Sequence, residues 1–203
     1  FHTGGKQGTQ VSRAVGKSVS LQQLNGASRE EFVSALRPLF NNETWPLELA
    51  WESRPFGDVN ELRAAIQVAV LTADDSRRAA LIHDYPAMDE LLLADADEAA
   101  TISADRGSLG LTDLDDVQTE RITELSAAYR ERFDMPFVAY LDTNDTVDRV
   151  IDTGVRRLAN SPEQEYRTAL GEIVEIANDR FDILLADANP VRSSWDRKFT
   201  EVD

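Results

Sequence analysis

Cysteine is absent from the 203 residues, histidine occurs only as His2 and His83, lysine occurs three times, and no apolar run reaches membrane-spanning length. The missing thiols exclude disulfides, thiolate nucleophiles, zinc ribbons and iron–sulfur clusters. Two imidazoles cannot build a multi-histidine metal site. The Asp89, Asp95, Asp97 and Asp113, Asp115, Asp116 runs lack the turn glycine and terminal glutamate of a calcium loop, so they read as solvated faces and no metal is expected. Positive charge is also short: 21 Lys and Arg stand against 37 Asp and Glu, giving a formal charge of −16. The bases are scattered along the chain, so its field repels a phosphate backbone and no nucleic-acid partner is expected. With 10 Gly and 7 Pro the chain is neither collagen-like nor low-complexity. It also carries no P-loop, glycine fingerprint or nucleophile elbow.

What is present is 42% hydrophobic residues, enough for one soluble domain without a membrane partner. Residues 1–18 are rich in Gly, Ser and Thr and read as a flexible arm, part of it an expression remnant. Residues 19–188 form the folded unit and 189–203 a tail. No targeting segment is visible, which predicts a cytoplasmic protein. Arg outnumbers Lys by 18 to 3, and its forked donors suit planar anions.

Apolar residues recur three or four apart and rarely alternate, which predicts an all-α single-domain bundle of about seven to nine helices. Ser28 and Glu31 make a capping box for a helix over about Arg29 to Phe40, stopped by Asn41–Asn42. A short helix over Pro46 to Ser53 ends before Arg54–Pro55. Asp58 or Asn60 caps a helix running to Ala73, and Asp74–Asp75–Ser76 caps another over Arg77 to His83, closed by Pro86. Met88 to Ala100 is helix-prone, and Thr101 to Asp116 is half loop. Val117 to Phe133, Thr146 to Leu158 and Pro162 to about Ala186 complete the helices; on the last, Tyr166, Leu170, Ile173, Ala177 and Leu184 define the expected buried face. Met135 to Leu141 is the one extended apolar stretch.

Read from residue chemistry alone, Leu81 to Pro86 stands out, because the internal histidine sits beside Asp84 at a helix end. A surface histidine stabilised by the helix dipole explains that pairing equally simply. The order of local motifs is more specific. Leu24–Asn25, Glu31–Phe32, Trp45, Arg54–Pro55–Phe56, Leu81–Ile82 with Pro86, and Gly110–Leu111 come first. Tyr129–Arg130 with Phe133, Pro136 and Phe137, then Arg157 to Asn160 with Glu165, and Ile176–Ala177 with Arg180 follow. The ordered set, from about Ser18 to Ala186, resembles the family of 2-oxo-4-hydroxy-4-carboxy-5-ureidoimidazoline (OHCU) decarboxylases, which form (S)-allantoin at the end of urate breakdown. The resemblance implies an all-helical, cofactor-free enzyme acting on a small anionic substrate, commonly as a homodimer.

The family's catalytic pattern is altered here. Its histidine precedes the proline of a His-Pro-Asp/Glu-Leu motif, and that position is Tyr85 before Pro86. Its Ser-x-x-Glu-Gln segment falls on Ile102, Asp105 and Arg106. The late arginine is retained as Arg180, and the Phe-Gly-Phe-Pro-Phe stretch survives in part as Phe133 to Phe137. The resemblance therefore implies Tyr85, Asp105 and Arg180 as catalytic candidates, with His83 as a substitute proton carrier. Substrate contacts are expected from Pro86, Ile102, Arg106 and the backbone of Phe137, Val138, Ala139, Tyr140 and Leu141.

Decarboxylation leaves an electron pair that the ring must absorb before it is protonated on one face. Histidine exchanges a proton near pH 6.5, whereas tyrosine titrates near 10 and at neutrality donates a hydrogen bond. Asp105 loses one methylene of reach relative to glutamate, and Arg106 donates only. Arg180 either clamps a carboxylate or pairs with Asp179, Glu175 or Asp105. Three readings stay open: a working decarboxylase with altered proton handling, a relative acting on a different small carboxylated or ureido compound, and a non-catalytic helical binding module.

Overall fold

The computed structural model describes residues 18–41, 43–93, 114–141 and 145–185. All regular structure among them is helical: α1 (Leu21–Gly26), α2 (Arg29–Leu36), a 3-10 turn (Arg37–Leu39), α3 (Trp45–Trp51), α4 (Val59–Leu71) and α5 (Asp75–His83). They are followed by α6 (Met88–Leu93), α7 (Asp116–Phe133), α8 (Val147–Arg157) and α9 (Pro162–Leu184). None of these helices is long and apolar enough to cross a membrane. An isolated parallel bridge pairs Val19 with Leu185, and the Val19 N–H donates to Leu184 O at 3.0 Å.

Side-chain caps start the helices where orphan N–H groups need acceptors. Ser28 accepts from Glu31 N and Glu31 accepts from Ser28 N, the reciprocal box expected from the sequence. Asp58, Asp74, Asp115, Thr146 and Ser161 cap α4, α5, α7, α8 and α9 in the same way, each accepting from the N–H three residues on. Ser20 and Gln23 form a further box that opens α1, a short helix absent from the periodicity reading.

Two expectations need correction. The helix expected over Arg29 to Phe40 ends at Leu36 and tightens into a 3-10 turn, since Pro38 has no N–H to return to the preceding turn. The buried face of α9 is Glu165, Ala169, Leu170, Ile173, Ala177 and Phe181; Tyr166 and Leu184 are only half-buried. The stripe turns inward by one residue at its start because Glu165 meets a buried partner there.

The long α9 packs on the 3-10 turn, α4, α5 and α7, while α2 to α4 contact one another on one side and α6 to α8 on the other. The core joins Leu36, Leu47, Leu62, Ile82, Ile122, Phe137, Ile173 and Phe181 into a single cluster. Gly154 brings α8 close to α7, since a Cβ there would lie 2.5 Å from Leu125 Cδ2 and 2.9 Å from Phe137 Cζ.

Candidate active site

The site is built where α5 ends. The Asp84 N–H donates to Ala80 O and the Tyr85 N–H to Ile82 O at 3.2 Å, so the chain turns tightly before Pro86 stops the helix. This turn sends the two neighbours of Asp84 in different directions. His83 is exposed and Tyr85 is buried with Ile82, Ala87 and Met88. The structure therefore brings Tyr85, and not His83, toward the interior. Pro86 is half-buried beside it.

The extended stretch is held against this corner by groups outside any sheet. The Met88 N–H donates to Phe137 O at 3.0 Å. Arg157 Nη1 donates to Val138 O at 2.8 Å, and the Tyr140 N–H donates to Glu172 Oε2 at 3.0 Å. These bonds satisfy backbone groups that would otherwise be buried without partners. Phe137, Val138 and Ala139 are buried, and Tyr140 and Leu141 are half-buried. The turn into the stretch needs a left-handed residue at Asp134 (φ 54°, ψ 39°), the position where the resembling family carries glycine. Aspartate tolerates that basin better than most side chains.

From the extended stretch the contacts pass to α9. Tyr140 Oη donates to Asp179 Oδ2 at 2.6 Å. On the next residue, Arg180 Nη1 donates to Pro38 O at 3.0 Å and Asn41 Oδ1 at 3.1 Å. Both acceptors are neutral oxygens. Asn41 sits in the left-handed basin (φ 56°) just after the 3-10 turn. Two residues on, Glu43 shares a hydrogen bond with Asp84, which pushes its carboxyl above the ordinary range; burial and the Asp84 charge add to the rise. The path then closes, because Asp84 adjoins Tyr85.

Tyr85, Phe137 to Tyr140 and Arg180 are thus linked in one ring, partly through contacts (Met88 with Phe137, Tyr140 with Asp179, Arg180 with Asn41, Glu43 with Asp84) and partly through chain neighbours. Ile102, Asp105 and Arg106 lie outside the described residues. Asn41 carries no mark in the sequence beyond ending a helix and Glu43 carries none, and their contacts are with residues far along the chain.

Beneath the ring lies a second polar group. Arg157 Nε donates to Glu165 Oε1 at 2.7 Å and Nη2 to Tyr129 Oη at 3.2 Å, while Asn160 Nδ2 donates to Glu165 Oε2 at 3.0 Å. The Arg157 guanidinium carbon also stands 5.0 Å from the Phe137 ring centre. Burial pushes Glu165 up to about 7, with the Glu172 charge adding, and pushes Arg157 down to about 10. This pair fixes Val138 from behind, and of its partners Tyr129, Phe137 and Val138 are buried and Asn160 is half-buried.

Comparison with known proteins gives the same identity as the motif order. The family model for OHCU decarboxylase matches residues 25–182. The chain is 37% identical over 164 residues to a 2-oxo-4-hydroxy-4-carboxy-5-ureidoimidazoline decarboxylase of Haloferax volcanii, covering 80% of this chain and 94% of that protein. It is 32% identical over 181 residues to the enzyme of that name from Mus musculus, covering 86% of this chain and 98% of the relative. A solved (S)-allantoin synthase shares the fold with a TM-score of 0.63 at 22% identity, over 82% of this chain and 54% of that one. The chain thus spans about half the length of the solved protein. With motif order, helical fold, family model and relatives in agreement, the chain belongs to the OHCU decarboxylase family.

Proposed function

We propose that the protein decarboxylates 2-oxo-4-hydroxy-4-carboxy-5-ureidoimidazoline to (S)-allantoin without a cofactor, as a cytoplasmic homodimer. The observation that carries the reading is the ring of contacts that ties Tyr85, the Phe137 to Tyr140 stretch and Arg180 together. Arg180 binds the anionic carboxylate and orients the ring, a task suited to a forked, permanently charged donor. The bond to the carboxyl carbon then breaks, its electron pair passes into the ring, and CO2 leaves. One proton from an acidic group or water replaces it on one face.

Tyr85 occupies the position that the resemblance gives to the family's histidine and is buried, and its phenolic O–H is assigned the hydrogen bond to the developing anion. Asp105 is assigned the carboxylate contact to the ureido group, with Ile102, Arg106 and Pro86 lining the ligand. His83, exposed at the end of α5, is assigned no chemical step. A second reading, favoured by tyrosine in the histidine position, is action on another small carboxylated ureide through the same arginine.

The deciding experiment couples urate oxidase and hydroxyisourate hydrolase to this protein and follows the circular dichroism of (S)-allantoin, with Tyr85→Phe alongside. Acceleration that Tyr85→Phe loses is the expected result. Acceleration kept by Tyr85→Phe removes Tyr85 from the mechanism, and no acceleration by the unaltered protein rejects the activity. Sedimentation at micromolar concentration reads the homodimer.

A further inference from the structure

The two bonds that hold the extended stretch to α8 and α9 fall on successive peptide units. Val138 O accepts from Arg157 Nη1 at 2.8 Å, and the Tyr140 N–H donates to Glu172 Oε2 at 3.0 Å. A trans peptide unit points its N–H and C=O in opposite directions, and the cis bond among the described residues is Arg54–Pro55 alone. The Ala139 N–H therefore points away from Arg157, and Ala139 O points away from Glu172. Neither group forms a hydrogen bond among the described residues, although Ala139 is buried. Buried backbone groups of native proteins nearly always have partners. A donor and an acceptor carried by one residue, and turned out of the frame together, complement an amide-like edge. The Arg157 guanidinium takes Glu165 as its ion-pair partner, so the bond of Glu172 is to the backbone, where a charged acceptor holds an N–H more firmly than a neutral one.

We propose that Glu172 is a positioning residue for substrate binding: it fixes the peptide unit between Ala139 and Tyr140 so that Ala139 O accepts from a ring N–H of the ureide. Arg157 fixes the preceding unit in the same way, and the Ala139 N–H donates to the neighbouring ring carbonyl. A ring ureide carries both groups side by side on one edge, so a single residue meets it with two bonds. The inference rests on the decarboxylase reading for the identity of the substrate, and the contact itself requires only a ring with an N–H and a C=O on adjacent atoms.

Two substitutions separate positioning from general support. Glu172→Met keeps the length and helix propensity of the side chain and removes the acceptor, whereas Glu172→Gln keeps an oxygen for the Tyr140 N–H. Glu172→Ala replaces Glu172→Met in the test if circular dichroism shows the latter unfolded. Calorimetric titration compares hydantoin-5-acetate, a ring ureide bearing a carboxylate, with its 1,3-dimethyl derivative, which has no ring N–H; the coupled assay reads KM and kcat. For Glu172→Met the expected result is a rise of about tenfold in Kd and KM with kcat within about threefold, while Glu172→Gln stays within about threefold of the unaltered protein throughout. The unaltered protein should prefer the unmethylated probe by about tenfold and Glu172→Met should lose that preference, an effect that a general loosening of the fold would not single out. If Glu172→Met keeps the Kd and the preference, or if Glu172→Gln falls as far as Glu172→Met, the proposal is overturned. Turnover by an unaltered protein that does not distinguish the two probes overturns it as well and leaves the decarboxylase reading in place. Should the unaltered protein prefer the unmethylated probe without turning over substrate, and Glu172→Met lose that preference, the positioning role stands and the decarboxylase reading falls.

Discussion

Arg157 and Arg180 meet the same helix at opposite ends, Arg157 through Glu165 in the first turn of α9 and Arg180 from its own place near the last. Arg157 has only 7% of its surface exposed, and it spends its donors on Glu165, Tyr129 and Val138, with the Phe137 ring beside it. Arg180 is half-buried and donates to the neutral oxygens of Pro38 and Asn41. A buried guanidinium tolerates its desolvation when a carboxylate and further acceptors surround it. The two ends of α9 therefore differ: Arg157 braces the extended stretch from behind with a carboxylate partner, and Arg180 ties α9 to the segment of Pro38 and Asn41.

The sharpest break of this comparison is Arg157→Met, which strands Glu165 in the core. It should cost about 3–5 kcal/mol of unfolding free energy in urea, while Arg157→Met combined with Glu165→Leu recovers most of the loss. Arg180→Met should do the reverse: kcat/KM falls by about a hundredfold, equivalent to about 2.7 kcal/mol, while the urea midpoint moves little. A large stability loss with Arg180→Met would remove the distinction between the two ends.

The pH dependence sharpens the frame side. In the folded protein Glu165 holds its proton up to about 7, against 4.5 as the ordinary value. The folded state thus binds more protons than the unfolded state between those values. Its contribution to stability is complete below about 4.5 and is lost as the pH rises through about 7. Urea midpoints across that window should fall for the unaltered protein, and Glu165→Gln should flatten the slope. The smallest effect belongs to an exposed pair on the same helix. Arg167→Ala removes an i,i+4 contact to Glu163 and should change stability by less than about 0.5 kcal/mol, with activity unchanged.

Much of the fold was legible because its determinants are local. The Ser28, Asp58, Asp74, Thr146 and Ser161 caps each act within three residues, and Pro86 stops α5 where it stands. The extended stretch after Phe133 was equally plain, being an apolar run with proline inside. The buried face of α9 was less so, because a glutamate in the core is visible only once its arginine partner is placed. Of the candidate site, motif order marked Tyr85 and Arg180, and it gave Arg157 and Glu165 no role. Asn41 showed only as a helix stop, since its importance lies in the contact its amide makes with a side chain from another helix.

By itself, the sequence determined most of the helix starts, the absence of thiol chemistry and the family, since capping, composition and motif order are properties of neighbouring residues. Only the tertiary structure decided that Tyr85 turns in and His83 out, that Tyr140 meets Asp179, and that Asn41 meets Arg180. The reason is physical: a helix end fixes its own hydrogen bonds within a turn, whereas the acceptor for a side chain is chosen by whichever distant element packs against it.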